Sequence, residues 1–350
     1  MTAEQELLER LAAGAGVCAC GERLAALDPL QRHEIYTQLL FDRLERKMRL
    51  VETLRREAGD NWNQTFYLLY FRTLGDRQNQ EAYLKLARLV PYKAVLRERL
   101  APRAVEAMLF GASGLLELYR HDDYTFDLRR SFEHLAAKYE IEPMHPDEWA
   151  LSGIRPANHP VLRLAQAAAF FAQDEFVMGR AMACRTEGDI RRLFCIEASD
   201  YWRTHYVPGA ASDEQPKRLG VFKANIIGIN LVAILQFAYG SYTANESLRE
   251  NALALLEKLP AEENRYIRAW CGGGLCPASA FETQALLQLA TEYCEPGKAS
   301  SRSSAGGGLL RSLGLSLHKS GAASGRPRCG ECPLGRRLLH RARQSDKAEE

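Results

Sequence analysis

Apolar residues recur at helical spacing along almost the whole of this chain, and no convincing stretch alternates with a period of two. Between Ile35 and Leu54, the side chains of Tyr36, Leu40, Leu44, Met48 and Val51 fall on one helical face. Asp42, Arg43, Glu45, Arg46 and Arg49 are mostly turned away from it. Glu45–Arg49 and Glu52–Arg56 are spaced to pair between successive turns. With no βαβ rhythm either, the expected fold is all-α: a compact, bundle-like body of roughly ten or more helices, followed by a flexible basic C-terminal tail.

Turn residues place the helix boundaries. Gly59-Asp60-Asn61 ends the first helix, and a second runs from about Trp62 to Gly75. A third spans about Glu81 to Val90 and stops at Pro91, a fourth covers about Arg103 to Phe110, and another runs from about Phe126 to Tyr139. Prolines and Asn158 fix a loop over 142–160, a candidate sub-boundary, and Pro160 suits the first position of a helix over Val161–Ala172. Further helices are expected near Asp189–Ala198, Val221–Ala238, Leu248–Leu259 and Ala280–Cys294. Ser279 and Glu282 have capping-box spacing at the start of the last one. Ala224 and Gly228 share a face and permit close helix approach. The expected organisation is a mobile N-terminus over 1–20, a helical body over 21–296, a Gly/Ser-rich insert over 297–328, and a tail over 329–350.

Charge is unevenly spread. The 350 residues carry a net charge of only +2, yet residues 297–350 hold 11 Lys/Arg against 4 Asp/Glu. An acidic body therefore carries a basic tail, which is either a nucleic-acid contact or a solvated end. The N-terminus is too acidic for a secretory signal. The most apolar run, Ile226 to Ala238, is shorter than the ~20 residues needed to span a bilayer and is read as a buried helix, so no membrane partner is expected. Nine cysteines, an odd number in a chain without a signal, point to reduced thiols and a cytoplasmic location.

Three cysteines carry the one hint of chemistry: Cys294, then Cys329 and Cys332 in a C-x-x-C pair. Thiolates at this spacing suit zinc or an iron–sulfur cluster, with Cys271, Cys276, His318 or His340 as the fourth ligand. The alternative is that they are free thiols beside a mobile tail. A second candidate is an anion site at the helix start after residue 160, built from Arg155, His159 and Arg163, with Arg336 and Arg337 of the tail as further nucleic-acid contacts. The competing and preferred reading makes Asn158 or His159 a helix cap and pairs Arg155 with a carboxylate. A third is Asp200-Tyr-Trp-Arg-Thr-His-Tyr206, where acid–base chemistry competes with an aromatic turn that anchors helices. No GxSxG, P-loop, HExxH or GxGxxG is present, and catalysis by this chain alone is not expected.

An ordered series of short motifs resembles a bacterial family, the domain of unknown function 2851. It comprises Leu44-Glu-Arg-Lys47, Asn61-Trp-Asn-Gln-Thr-Phe66, Glu106-Ala-Met-Leu-Phe-Gly-Ala-Ser-Gly-Leu-Leu116 and Arg155-Pro-Ala-Asn-His-Pro-Val-Leu-Arg-Leu-Ala-Gln166. Asp200-Tyr-Trp202, Asn230 with Tyr239-Gly240, Pro260-Ala-Glu-Glu-Asn264, Gln284-Ala-Leu286, Tyr293-Cys294 and Cys329-Gly-Glu-Cys332 complete it, from about Gly21 to Leu339. The resemblance implies no established activity. It also implies that typical members carry a further N-terminal region similar to a restriction-endonuclease core, which makes a nuclease-like region an expected partner. Two departures stand out: the insert between Cys294 and Cys329, and Gln236 where the family often has proline. The expected function is thus a non-catalytic helical module that supports a nuclease-like partner and contacts nucleic acid. The alternatives are a protein–protein scaffold and a metal-dependent enzyme centred on the thiols.

Overall fold

A computed structural model describes residues 24–75, 77–119, 122–272 and 274–294. Within them lie thirteen α-helices and one small hairpin, so the fold is all-α. The helices are α1 (Pro29–Glu57), α2 (Trp62–Leu74), α3 (Gln80–Leu89), α4 (Tyr92–Glu98), α5 (Pro102–Ser113), α6 (Asp123–Tyr139) and α7 (Pro160–Gln173). They continue with α8 (Val177–Ala183), α9 (Glu187–Phe194), α10 (Val221–Tyr242), α11 (Glu246–Lys258), α12 (Arg265–Gly272) and α13 (Ala280–Gln288). Strands β1 (His205–Val207) and β2 (Ala210–Ala211) form the hairpin. The chain divides into two units, one of Met1–Glu45 with Pro260–Glu350 and one of Arg46–Leu259, with the boundary inside α1.

In the larger unit the core is aromatic. Helix α2 contributes Phe66, Tyr67, Tyr70 and Phe71, all essentially inaccessible, and α7 contributes Phe170 and Phe171. Tyr70 stacks on Phe170 with centroids 4.9 Å apart, and Phe171 lies 4.9 Å from both Tyr67 and Tyr70. Tyr92 of α4 and Phe194 of α9 close the cluster. Rings bury more area per residue than any other side chain, so this cluster is the main hydrophobic contribution here. The Tyr67 hydroxyl is buried without a hydrogen-bond partner.

Local chemistry explains most boundaries. Asn61 caps α2 by accepting from the N–H groups of Asn63 and Gln64. Asp28 does the same for α1, which therefore starts before the Ile35 expected from periodicity. Helix α5 runs through Gly111, where the composition suggests a stop, because the helix is needed for packing: a Cβ at Gly111 would sit 1.9 Å from the Phe132 ring of α6. Helix α10 is longer than the apolar run suggests, at 22 residues. By length and composition it is able to cross a membrane, but 78% of its most apolar window is buried in the fold.

Helix α10 widens to a π turn over Gly228–Val232. The Asn230 side chain donates to Ile226 O, four residues back, and accepts from Lys47 Nζ at 3.1 Å, so it competes for the helix's own carbonyls. The close approach expected at Gly228 is present: a Cβ there would meet Ile190 of α9 at 3.3 Å and Leu259 at 3.1 Å. Gln236, the departure from the family's proline, is fully buried and donates to the carbonyls of Met182 and Cys184 at 3.2 and 2.9 Å. It satisfies carbonyls left open at the end of α8.

The smaller unit holds the start of α1 with α12 and α13. His33 stacks on Phe281 at 5.3 Å, and Arg43 donates to Gln284 at 2.6 Å, inward rather than toward solvent. Ser279 accepts from Glu282 N, but the Glu282 carboxylate takes the N–H of Ala278 instead of that of Ser279, so only half of the expected capping box forms.

Two substitutions test this packing. Gly111→Ala forces the Phe132 ring aside and should cost about 1–3 kcal/mol in urea unfolding. Tyr67→Phe removes an unpaired buried hydroxyl and should stabilise by about 1 kcal/mol in the same assay.

Candidate functional site

Glu106 is the most unusual ionisable group among the described residues. It lies on α5, whose residues 105–113 are all buried, and it is 3% exposed. A buried carboxyl is costly unless donors surround it. Three side chains do so. Trp202 Nε1 donates to Glu106 Oε1 in a short hydrogen bond, and Ser199 Oγ donates to Oε2 at 3.0 Å. Tyr124 shares a 2.9 Å hydrogen bond with Ser199, and the Arg103 guanidinium lies 4.8 Å over the Tyr124 ring. Burial pushes the Glu106 carboxyl above its ordinary value, and the hydrogen bonds from Tyr124, Trp202 and Ser199 and the charge of Arg103 only partly oppose this.

A second carboxylate lies in the same neighbourhood. Asp122 caps α6 and accepts from Thr125 N and Thr125 Oγ1 through Oδ1. Its Oδ2 accepts from Tyr201 at 2.5 Å. Burial acts to raise Asp122, but the Tyr201 and Thr125 hydrogen bonds and the nearby His205 outweigh it and hold the carboxyl below its ordinary value. Tyr124, Tyr201 and His205 form a ladder of parallel rings with centroids 4.0 and 4.1 Å apart. His205 Nδ1 lies 3.0 Å from both Tyr201 O and Thr204 Oγ1.

The segment 199–206 thus anchors the structure through rings. Trp202 is fully buried, stacked on Phe110 at 5.3 Å. Asp200, placed with His205 and Tyr206 by the sequence, is exposed and outside the cluster, and Asp122 stands beside Tyr201 and His205 instead. Lys217 is buried behind the hairpin, with Nζ 3.0 Å from Arg203 O and 4.2 Å from the Tyr206 ring centroid.

The loop before α7 divides its predicted residues. His159 Nδ1 accepts from Val161 N and caps the helix, while its Nε2 lies 3.4 Å from the Tyr119 hydroxyl. Burial lowers its pKa. Arg163 points inward and is 6% exposed, donating to Asn158 Oδ1 at 2.7 Å and Gln166 Oε1 at 2.9 Å. Gln166 in turn donates to Lys217 O. Arg163 is therefore a buried strut, and Arg155 alone of these cations is exposed. Arg336 and Arg337 lie outside the described residues.

Of the predicted thiols, Cys294 ends the π turn Leu289–Cys294 that prolongs α13, and its side chain is not described. Cys329 and Cys332 lie outside the described residues, as do His318 and His340. No group of three or more His, Cys, Asp or Glu side chains is poised to hold a metal among the described residues. Of the candidate fourth ligands, Cys271 is half-buried and Cys276 is exposed.

Sequence reasoning did not single out Glu106. The signal was present: a lone charge in Ala104-Val-Glu-Ala-Met-Leu-Phe110, a stretch otherwise apolar on all faces.

The pH dependence of stability tests the account. Glu106 has a folded pKa above its unfolded one, so its contribution is complete below its ordinary value of 4.5 and is lost as pH rises through the raised value. Glu106→Gln keeps an acceptor for Trp202 and should flatten that loss in unfolding curves recorded across pH. Equal pH slopes for the two proteins would contradict it. Glu106→Ala strands the Trp202 N–H and should cost about 3 kcal/mol.

A family model described as a protein of unknown function (DUF2851) matches residues 2–265. The chain belongs to that family. The match ends before Cys271, so all the thiols named above lie beyond it. No curated protein and no solved structure matches the chain.

Proposed function

From its place in that family, we propose that this chain is a non-catalytic helical module of a nucleic-acid-processing system, positioning a nuclease-like partner region and contacting phosphates through Arg155 and the C-terminal arginines. One observation carries the non-catalytic part. The carboxyl with the raised pKa, Glu106, is enclosed by Trp202, Ser199 and buried helix, with no face left for a substrate. A general acid or base has to come within hydrogen-bond reach of the atom it protonates or deprotonates. Saturated networks of this kind perturb pKa values for structural reasons. Support for the nucleic-acid part is electrostatic: the excess of 11 Lys/Arg over 4 Asp/Glu in residues 297–350, and an exposed Arg155. The inward Arg163 is not part of the contact.

A protein scaffold is the second reading. It is favoured by Leu100 and Phe176, 86% and 67% exposed, which follow in sequence the two partners of the Arg99–Glu175 ion pair.

Titration of labelled DNA and RNA at low ionic strength separates the two. The nucleic-acid reading expects binding whose logarithm falls with the logarithm of salt, and a slope reduced by about 2 in a doubly substituted Arg336→Ala, Arg337→Ala protein. Absence of salt-sensitive binding, together with a co-purifying protein retained by that variant, would favour the scaffold.

A further inference from the structure

The segment between Trp149 and Pro160 is held at its two ends. Upstream, Trp149 Nε1 donates to Ser113 O at 2.9 Å, and the Asn79 side chain pairs with both backbone groups of Ala150, each at 2.9 Å. Downstream, His159 Nδ1 accepts from Val161 N at 3.3 Å, and Arg163 donates to Asn158 Oδ1 at 2.7 Å. Residues 155–158 are exposed, and the backbone hydrogen bonds of this stretch, from Asn158 N to Arg155 O and from His159 N to Pro156 O, stay within it. Gly153 takes φ +72° with open space beside it. Residues 151–158 are thus a strap fastened to the start of α7.

The histidine that fastens it has to be neutral. A backbone N–H only donates, so Nδ1 must offer its lone pair to Val161. The ring proton is then on Nε2, which donates to the Tyr119 hydroxyl at 3.4 Å. A second proton, added at Nδ1, sets an N–H against the Val161 N–H and puts a positive charge at the positive end of a helix. The charged groups around α7 do not offset it. Arg163 on the helix and Arg155 on the strap are cations. Of the elements packed on α7, α5 brings Glu106, engaged by Trp202 and Ser199, and Arg103, which lies over Tyr124. Helix α4 brings Glu98, held by Lys138 and Tyr139, and the exposed Lys93 and Arg97. At the hairpin, His205 is stacked on Tyr201 and Lys217 donates to Arg203 O. From α3, the Tyr83 hydroxyl donates to Pro160 O. Burial alone lowers the His159 pKa, with no contribution from any of these groups.

We propose that His159 is an acid-operated clasp: a proton taken from solvent at Nδ1 removes the acceptor of the Val161 N–H and frees the 151–158 strap from the start of α7. His159 has a folded pKa below its ordinary value of 6.5, so the cap is fully formed above pH 6.5 and is lost as pH falls through the lower folded value. His145 shows the same motif in a setting that does not switch. It too precedes a proline and accepts through Nδ1 from the residue after it, Asp147 N, at 3.4 Å. Its ring is exposed, however, and Asp147 Oδ2 lies 3.3 Å from Nδ1, so a charge there is both solvated and paired. The strap carries the exposed Arg155, but the clasp works the same way whatever Arg155 contacts.

The test is amide hydrogen exchange of the full chain, stepped from about pH 7.5 to about pH 4.5, with each rate corrected for the intrinsic effect of pH. The expected result is that a peptide holding the Asn158, His159 and Val161 amides loses about fivefold or more of its protection once pH falls below the ordinary histidine range, the factor that loss of one helix cap allows. Peptides from the aromatic core of α2 should keep theirs over the same steps. His159→Asn supplies a cap acceptor that does not titrate, so its protection should stay level. The proposal is overturned if wild-type protection of the strap peptide is unchanged across the range, if the core peptides lose protection at the same pH, or if the asparagine variant loses as much as the wild type. The wild-type readings need no variant to fold.

Discussion

The larger unit is organised around the need to solvate one buried carboxyl. Glu106 lies on a helix whose residues 105–113 are all buried, and it is only 3% exposed. Its donors come from Ser199 and Trp202, nearly a hundred residues away in sequence. The bond from Trp202 works both ways, since an indole N–H inside a core needs an acceptor as much as the carboxyl needs a donor. The segment that brings these donors also carries Tyr201, and through it the ring ladder with Tyr124 and His205 and the hydrogen bond to the cap of α6 at Asp122. A polar requirement thus fixes where an otherwise irregular segment lies.

The same logic recurs at several other buried polar groups of this unit. Arg163 is held by Asn158 and Gln166, Gln166 by the carbonyl of Lys217, and Lys217 by carbonyls of the hairpin region. Gln236 takes up carbonyls at the end of α8. Chains of this sort resemble an active site in composition, because they gather Arg, Lys, Glu, Tyr and His. What separates them is that most of the donors and acceptors are used up on one another, Gln236 Oε1 being an exception, and this is a matter of geometry rather than of residue type.

Much of the fold was legible in the sequence. The face formed by Tyr36, Leu40, Leu44 and Val51, the cap at Asn61, the stop at Pro91 and the start at Pro160 are all local signals, and each marks an element or boundary of the described chain. The short helices α4, α8 and α12 were not legible, because seven or eight residues carry too little periodicity to stand out. The continuation of α5 through Gly111 was hidden for another reason: glycine reads as a stop, but here it is the only residue that clears Phe132. At the candidate sites, Arg155, His159 and Arg163 looked equivalent as cations near a helix start. Only packing turns Arg163 inward and makes His159 a cap.

The sequence by itself determined that this chain is helical, where most helices begin and end, and to which family it belongs, because capping, turn chemistry and periodicity act over a few residues. The tertiary structure decided which charges are buried and who satisfies them, and that Asp122 rather than Asp200 stands beside Tyr201 and His205. Those outcomes depend on desolvation and on contacts between distant segments. No local pattern encodes them, since the cost of burying a group and the partners that offset it exist only once the chain has packed.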